Sequence, residues 1–212
     1  MKNITKKLIA VLLCLAMVGG MLPMGASAVG EDTVYTLYPT PHSIAYGDGS
    51  FELTDIHAVY GEGIDDYTKA RLEETAALLD LEVTDAGETD VYVAIYGSGD
   101  AAEQYILNNY TVDTTLFTKI DANFVAVKDG EIVVLGKDTD SAFYGLTTLY
   151  QIFGQLTGTT LRNLTINDYA DVASRGFIEG YYGNPWSVED RANLMTWGGY
   201  YKLNSYFYAP KD

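Results

Sequence analysis

The stretch "RGFIEGYYGNPWS", Arg175–Ser187, packs three glycines, two adjacent tyrosines, one carboxylate and a Pro-Trp pair into thirteen residues. A little further on, "APKD" sets Lys211 beside Asp212. A glycine such as Gly180 has no Cβ, so its backbone can approach a ligand closely. A lysine ammonium such as that of Lys211 can donate up to three hydrogen bonds to hydroxyl groups. The same residues have plainer readings, a strand-ending glycine and a solvated lysine, and on residue type alone those take precedence. Other candidates fall away. His42 and His57 have no second histidine or cysteine at ligand spacing, so no metal site is expected. The carboxylate pairs Asp65-Asp66, Glu73-Glu74 and Glu189-Asp190 lie on or beside expected helices and read as solvated faces or N-terminal charges favoured by the helix dipole. There is no nucleophile elbow and no phosphate-binding glycine loop, and no cofactor is called for. The sequon at Asn163 lies in an expected strand and carries no weight.

The elements around these stretches decide what they could form. Arg175–Glu179 reads as a short strand. Ser187 caps a helix, with Asp190 at capping-box spacing. Leu194, Trp197 and Tyr201 make that helix's apolar face, and Gly198-Gly199 should weaken or bend it. Asn204–Pro210 is a second strand. Strand, helix, strand is a βαβ unit with parallel strands. In a β/α barrel the loops after the strands form the active face, so "EGYYG" and "APKD" would line one pocket. A lone unit cannot bury both faces of its sheet. Residues 173–212 are therefore expected to be the start of an incomplete (β/α)8 barrel, and the chain the front of a larger protein.

Upstream the grammar differs. Thr33–Leu37 and Ile56–Tyr60 read as strands, with "YPTPHS" as a turn between. "GIDDYTKARLEETAALLDL" reads as a helix with Leu72, Ala76 and Leu79 on one face and an Asp65–Lys69 pair. Asp90–Gly97 is a buried strand. "NFVAVKDGEIVVLGK" is a hairpin turning at Asp129-Gly130. A helix follows, capped by Asp138 or Asp140, with Phe143, Leu146, Tyr150 and Phe153 facing the sheet. Thr160–Asp168 closes the sheet. Residues 29–172 are thus expected to form one α+β domain, a mostly antiparallel sheet with helices on one face.

The totals set the surroundings. Lys2, Lys6 and Lys7, the apolar run Leu8–Leu22 and the Ala26-Ser27-Ala28 pattern read as a signal peptide, residues 1–28. The apolar run is shorter than the roughly 20 residues a membrane span needs. The lone cysteine, Cys14, lies within it, so no disulfide is expected afterwards. Losing three signal lysines takes the formal charge from −16 to −19. A surface so acidic repels nucleic acid and anionic membranes. The expectation is a secreted protein with no membrane insertion after signal cleavage.

"RGFIEGYYGNPWSVEDR" followed by "YFYAPKD" resembles the opening of the catalytic domain of glycoside hydrolase family 84, the β-N-acetylglucosaminidases that include bacterial hyaluronidase-like enzymes and protein O-GlcNAc hydrolases. "YPTPHSI" and "GKDTDSAFYGLTTLYQIF" are similar to the α+β domain preceding the barrel in families 84 and 20. Family 20 is the nearest rival, but Glu179-Gly180-Tyr181-Tyr182 stands where its barrel opens differently. Tyr181 and Asn184 depart mildly from the family 84 pattern. The resemblance implies removal of β-linked N-acetylglucosamine from glycans or glycoproteins by substrate-assisted retention, in which the substrate's acetamido oxygen attacks the anomeric carbon. It implies that Gly180 and Lys211 contact the terminal sugar, and that the catalytic aspartate pair belongs beyond Asp212. The competing expectation is a non-catalytic carbohydrate-binding or adaptor module.

Overall fold

The hairpin at the middle of the sheet turns on two residues. Asp129 and Gly130 take φ of 52° and 93°, the left-handed pair that a type I′ turn requires. They join β4 (Ile120–Lys128) to β5 (Glu131–Gly136) in antiparallel register. The computed structural model describes residues 33–180 and 185–208. Beside β4 runs β6 (Thr160–Ala170), and beside β6 runs β1 (Ser43–Glu52), both antiparallel. On the other side, β3 (Thr89–Ile95) pairs parallel with β5, and β2 (Ile56–Tyr60) pairs parallel with β3. The order is β1-β6-β4-β5-β3-β2. The domain is α+β as expected, with a mixed sheet in which antiparallel pairings predominate.

The central strands are apolar at successive positions because both of their faces are covered. On one face, Val91, Val93, Val125, Val127, Ile132 and Val134 pack against α1 (Asp66–Ala77) and α3 (Thr139–Phe153) through Leu72, Ala76, Leu146, Leu149 and Phe153. On the other, Phe124, Val133 and Leu135 pack against Ala102 and Ile106 of α2 (Ala101–Asn109) and against Phe117 of a 3-10 turn. The sequence reading placed helices on one face only; α2 adds a layer to the second.

Local chemistry explains the other departures. Thr33–Leu37 is extended but is not a strand. Much of its backbone bonding goes to side chains: Gln155, just past α3, accepts from the Thr36 N–H and donates to the Thr36 carbonyl, Gln151 of α3 does the same at Tyr38, and the Tyr46 hydroxyl accepts from the Tyr35 N–H. The edge strand in that region is instead β1, whose alternation is broken by a register shift between Tyr46 and Ser50; an irregular edge strand hides its period. Asp65 caps α1 by accepting from the Thr68 N–H at 2.8 Å, so Lys69 pairs with Asp66 at 3.1 Å instead. Asp138 caps α3 through the Ser141 N–H at 2.8 Å.

Candidate active site

Past Ala170 the chain forms β7 (Gly176–Glu179), α4 (Val188–Gly199) and β8 (Ser205–Tyr208). The strands pair parallel, Gly176 opposite Ser205 and Glu179 opposite Tyr208, as the βαβ reading requires. Gly176 permits this closeness, since a Cβ there would lie 1.6 Å from the Ser205 carbonyl oxygen. Ser187 and Asp190 form the expected capping box. The helix's expected apolar face is only partly used: Leu194 is half-buried, while Trp197 is 58% exposed. The bare backbone of Gly198 lies against Phe177, where a Cβ would meet the ring at 3.0 Å.

The C-terminal ends of both strands are tied together by Glu179, which is 4% exposed. Arg191 of α4 donates to it twice, Nε to Oε2 at 2.6 Å and Nη2 to Oε1 at 2.7 Å. The Trp186 N–H adds a bond at 3.3 Å, and the Tyr206 hydroxyl of β8 donates to Oε2. Arg191 also lies over the Tyr208 ring, 4.9 Å from its centre. The Arg191 bonds, aided by Tyr206 and Trp186 and opposed by burial, hold the Glu179 carboxyl at about 2. A carboxylate held so low and so fully bonded is no proton donor near neutral pH. Its role is to fix the strand end from which Gly180 emerges, exposed. Lys211, Asp212 and residues 181–184 lie outside the described residues. The sequence reading passed over Glu179 and Arg191, although the thirteen-residue span "EGYYGNPWSVEDR" joins them end to end.

At the opposite ends of the strands the unit is seated on the front domain. Arg71 of α1 lies 4.6 Å from the Phe143 ring centre and 4.7 Å from that of Tyr200, and Tyr200 donates its hydroxyl to Glu74. That bond, with burial, pushes the Tyr200 hydroxyl up to about 12. Gln151 donates to the Tyr200 carbonyl at 2.7 Å. Lys202 and Asp168, each 6% exposed, are paired at 2.7 Å, and His42 Nδ1 stands 3.3 Å from the same aspartate. Burial pushes the Lys202 ammonium below its ordinary value against the pull of Asp168. The same burial works to raise Asp168, but Lys202 and His42 outweigh it and hold Asp168 low. A cavity of about 170 Å³ at this seam, lined by His42, Asn123, Tyr144, Asp168 and Lys202 among others, lies at the strands' N-terminal ends. In β/α architectures the chemistry lies at the C-terminal ends of the parallel strands, so the Glu179–Gly180 end is the candidate site. Among the described residues, no group of three His, Cys, Asp or Glu is placed to hold a metal ion.

An α+β domain leading into a parallel β/α unit is the front architecture of a hexosaminidase-type glycoside hydrolase, and the comparisons agree. The family described as glycosyl hydrolase family 20, domain 2, matches residues 34–169, and that described as beta-N-acetylglucosaminidase matches residues 175–212. The solved structure of CpGH84D is similar with a TM-score of 0.80 and 45% identity, over 84% of this chain and 31% of that one. A GH20 exo β-N-acetylglucosaminidase from Vibrio harveyi, solved in complex with N-acetylglucosamine, shares the fold (TM-score 0.61, 20% identity, 83% of this chain and 25% of that one). Protein O-GlcNAcase of Rattus norvegicus is 49% identical over 37 residues, 18% of this chain. The chain therefore belongs to the domain family of glycosyl hydrolase family 20, domain 2, and its continuation fits glycoside hydrolase family 84. It spans 31% of CpGH84D and 4% of the curated relative.

Proposed function

We propose that these residues are the front domain and first barrel strands of a secreted β-N-acetylglucosaminidase. The observation that carries the proposal is the parallel β7–α4–β8 unit, whose Glu179–Arg191 lock presents Gly180 at a strand's C-terminal end. The substrate is a glycan or glycoprotein bearing terminal β-linked N-acetylglucosamine, and the mechanism is substrate-assisted retention. Gly180 and Lys211 hold the sugar, while the proton-transferring aspartates come from a later strand. Apolar side chains left exposed on the unit, Ile178 at 75% and Phe207 at 54%, support further β/α elements packing there. Among the described residues no helix is long and apolar enough to cross a membrane; export rests on the signal pattern at residues 1–28.

Hydrolysis of a chromogenic β-N-acetylglucosaminide by the complete secreted protein, with the first-formed anomer identified by proton NMR, tests the reading. The β anomer supports it. Sugar binding without turnover would favour the adaptor reading instead. A polypeptide of residues 29–212 alone is expected to turn over nothing, because two strands hold only part of a site.

A further inference from the structure

The helix α4 ends in a Schellman motif. The Lys202 N–H bonds to the Gly199 carbonyl at 3.3 Å and the Leu203 N–H to the Gly198 carbonyl at 3.0 Å. The residue at the left-handed position of this motif is usually glycine, since a Cβ is unfavourable there. Here it is Lys202, at φ 60° and buried. A lysine at such a position is unfavourable twice, in backbone conformation and in ammonium desolvation. What the position gains is reach: the side chain enters the front domain and ends 2.7 Å from Asp168 Oδ2 on β6.

The neighbouring strand repeats the arrangement. Arg175, immediately before β7, places Nη2 2.7 Å from Asp121 Oδ2 on β4, an ion pair by distance without hydrogen-bond alignment. Asp121 is itself left-handed, at φ 51°. Arg175 Nε donates to the Lys202 carbonyl at 3.1 Å, and the Arg175 N–H donates to Asn204 Oδ1 at 2.9 Å. One cation thus stands at the root of each parallel strand, and each is paired with an aspartate of the front sheet.

We infer that Lys202 and Arg175 are positioning residues: a two-cation latch fixes the roots of β7 and β8 on the front domain, and so sets where their C-terminal ends stand. The inference rests on the proposed glycosidase reading for its catalytic consequence, but not for the latch itself. Displacing a strand root moves the whole short strand, because β7 is only four residues long, and a misplacement on the order of 1 Å can cost about a hundredfold in rate.

Lys202→Gly separates the latch from ordinary backbone preference. Backbone conformation alone makes glycine the more stable residue at φ 60°; the latch makes it worse. Both tryptophans, Trp186 and Trp197, lie in the β7–α4–β8 region, so tryptophan fluorescence follows this unit while far-ultraviolet circular dichroism follows chiefly the front domain. Melting of this 212-residue chain should show one shared transition in the wild type. In Lys202→Gly the fluorescence transition should fall by about 5 °C or more below the dichroism transition, with Lys202→Arg keeping the two together. Asp168→Asn provides a second route to the same separation should the glycine variant not fold. Coincident transitions in both Lys202→Gly and Asp168→Asn, or a glycine variant more stable than wild type, would overturn the latch. In the complete enzyme, Lys202→Gly should lower kcat/KM about tenfold or more, chiefly through KM, at temperatures where both transitions remain folded. Wild-type kinetics in that folded variant would remove the positioning role. A wild type without glycosidase activity would instead overturn the proposed function, and the melting comparison would still decide the latch.

Discussion

Glu179 and Gly180 are adjacent residues with different duties. Glu179 is consumed by four hydrogen bonds and cannot also serve a substrate; Gly180 has no side chain and can expose its backbone. The proposal assigns sugar contact to the glycine and to Lys211, which follows β8. In the complete enzyme Lys211→Ala should weaken binding of substrate and of sugar-like inhibitors by about 1.5–3 kcal/mol, the range for a hydrogen bond from a charged group. Gly180→Val should be worse, because its side chain would occupy space intended for the ring. Measuring kcat/KM for both, with circular dichroism to establish folding, decides the matter; an unchanged Lys211→Ala enzyme refutes the role. Arg191→Lys should also lower activity, since an ammonium cannot reproduce the paired bonds of the guanidinium to Glu179.

At the scale of elements, α3 organises more than its sheet-facing side. Gln151 on its outer side and Gln155 just past its end hold residues 36–38 by backbone bonds that a strand neighbour would otherwise supply. Gln155→Ala removes two of those bonds and should cost on the order of 1–2 kcal/mol. It should also open the segment before β1 to proteolysis, readable by mass spectrometry of early cleavage products. Protection equal to wild type would show that packing of Tyr35 and Leu37 alone holds the segment. Asp138→Ala removes the cap of the same helix and should cost about 1 kcal/mol, visible as a lower urea midpoint with an unchanged slope.

For the whole molecule, several buried or capping carboxylates are held below their usual range. Glu179 is held at about 2, and Asp168, Asp65 and Asp100 are lowered. A depressed carboxyl contributes stability that is fully present above its unfolded value and lost as pH falls through its folded one. For Glu179 the window runs from about 4.5 down to about 2. Urea midpoints should therefore drop across that window, and in Glu179→Gln the fluorescence-detected part of the drop should shrink. A midpoint flat from pH 5 to 2 would contradict the assignment. Export adds a separate expectation: protein recovered from medium should begin at Val29, and a retained Met1 would count against the signal reading.

Local features were legible because each depends on a few neighbouring residues. Asp129-Gly130 specifies its turn, Ser187 and Asp190 their capping box, and of the two candidates Asp138 and Asp140 the first starts its helix. The βαβ grammar likewise lies within one short span, so the parallel pair was readable in outline. The second helical face was not: α2 is a short helix, Ala101–Asn109, and the apolar underside of β3, β4 and β5 gives it a place. Nor was the pairing of Lys202 with Asp168, 34 residues away, or of Gln155 with Thr36, 119 residues away. A buried charge acquires a partner, and a left-handed lysine a purpose, only when chain closure brings distant strands together. Sequence thus determined the turns, caps and the motif's address, while tertiary structure decided which side chains hold the strand ends in place, because those contacts exist only across the closed sheet.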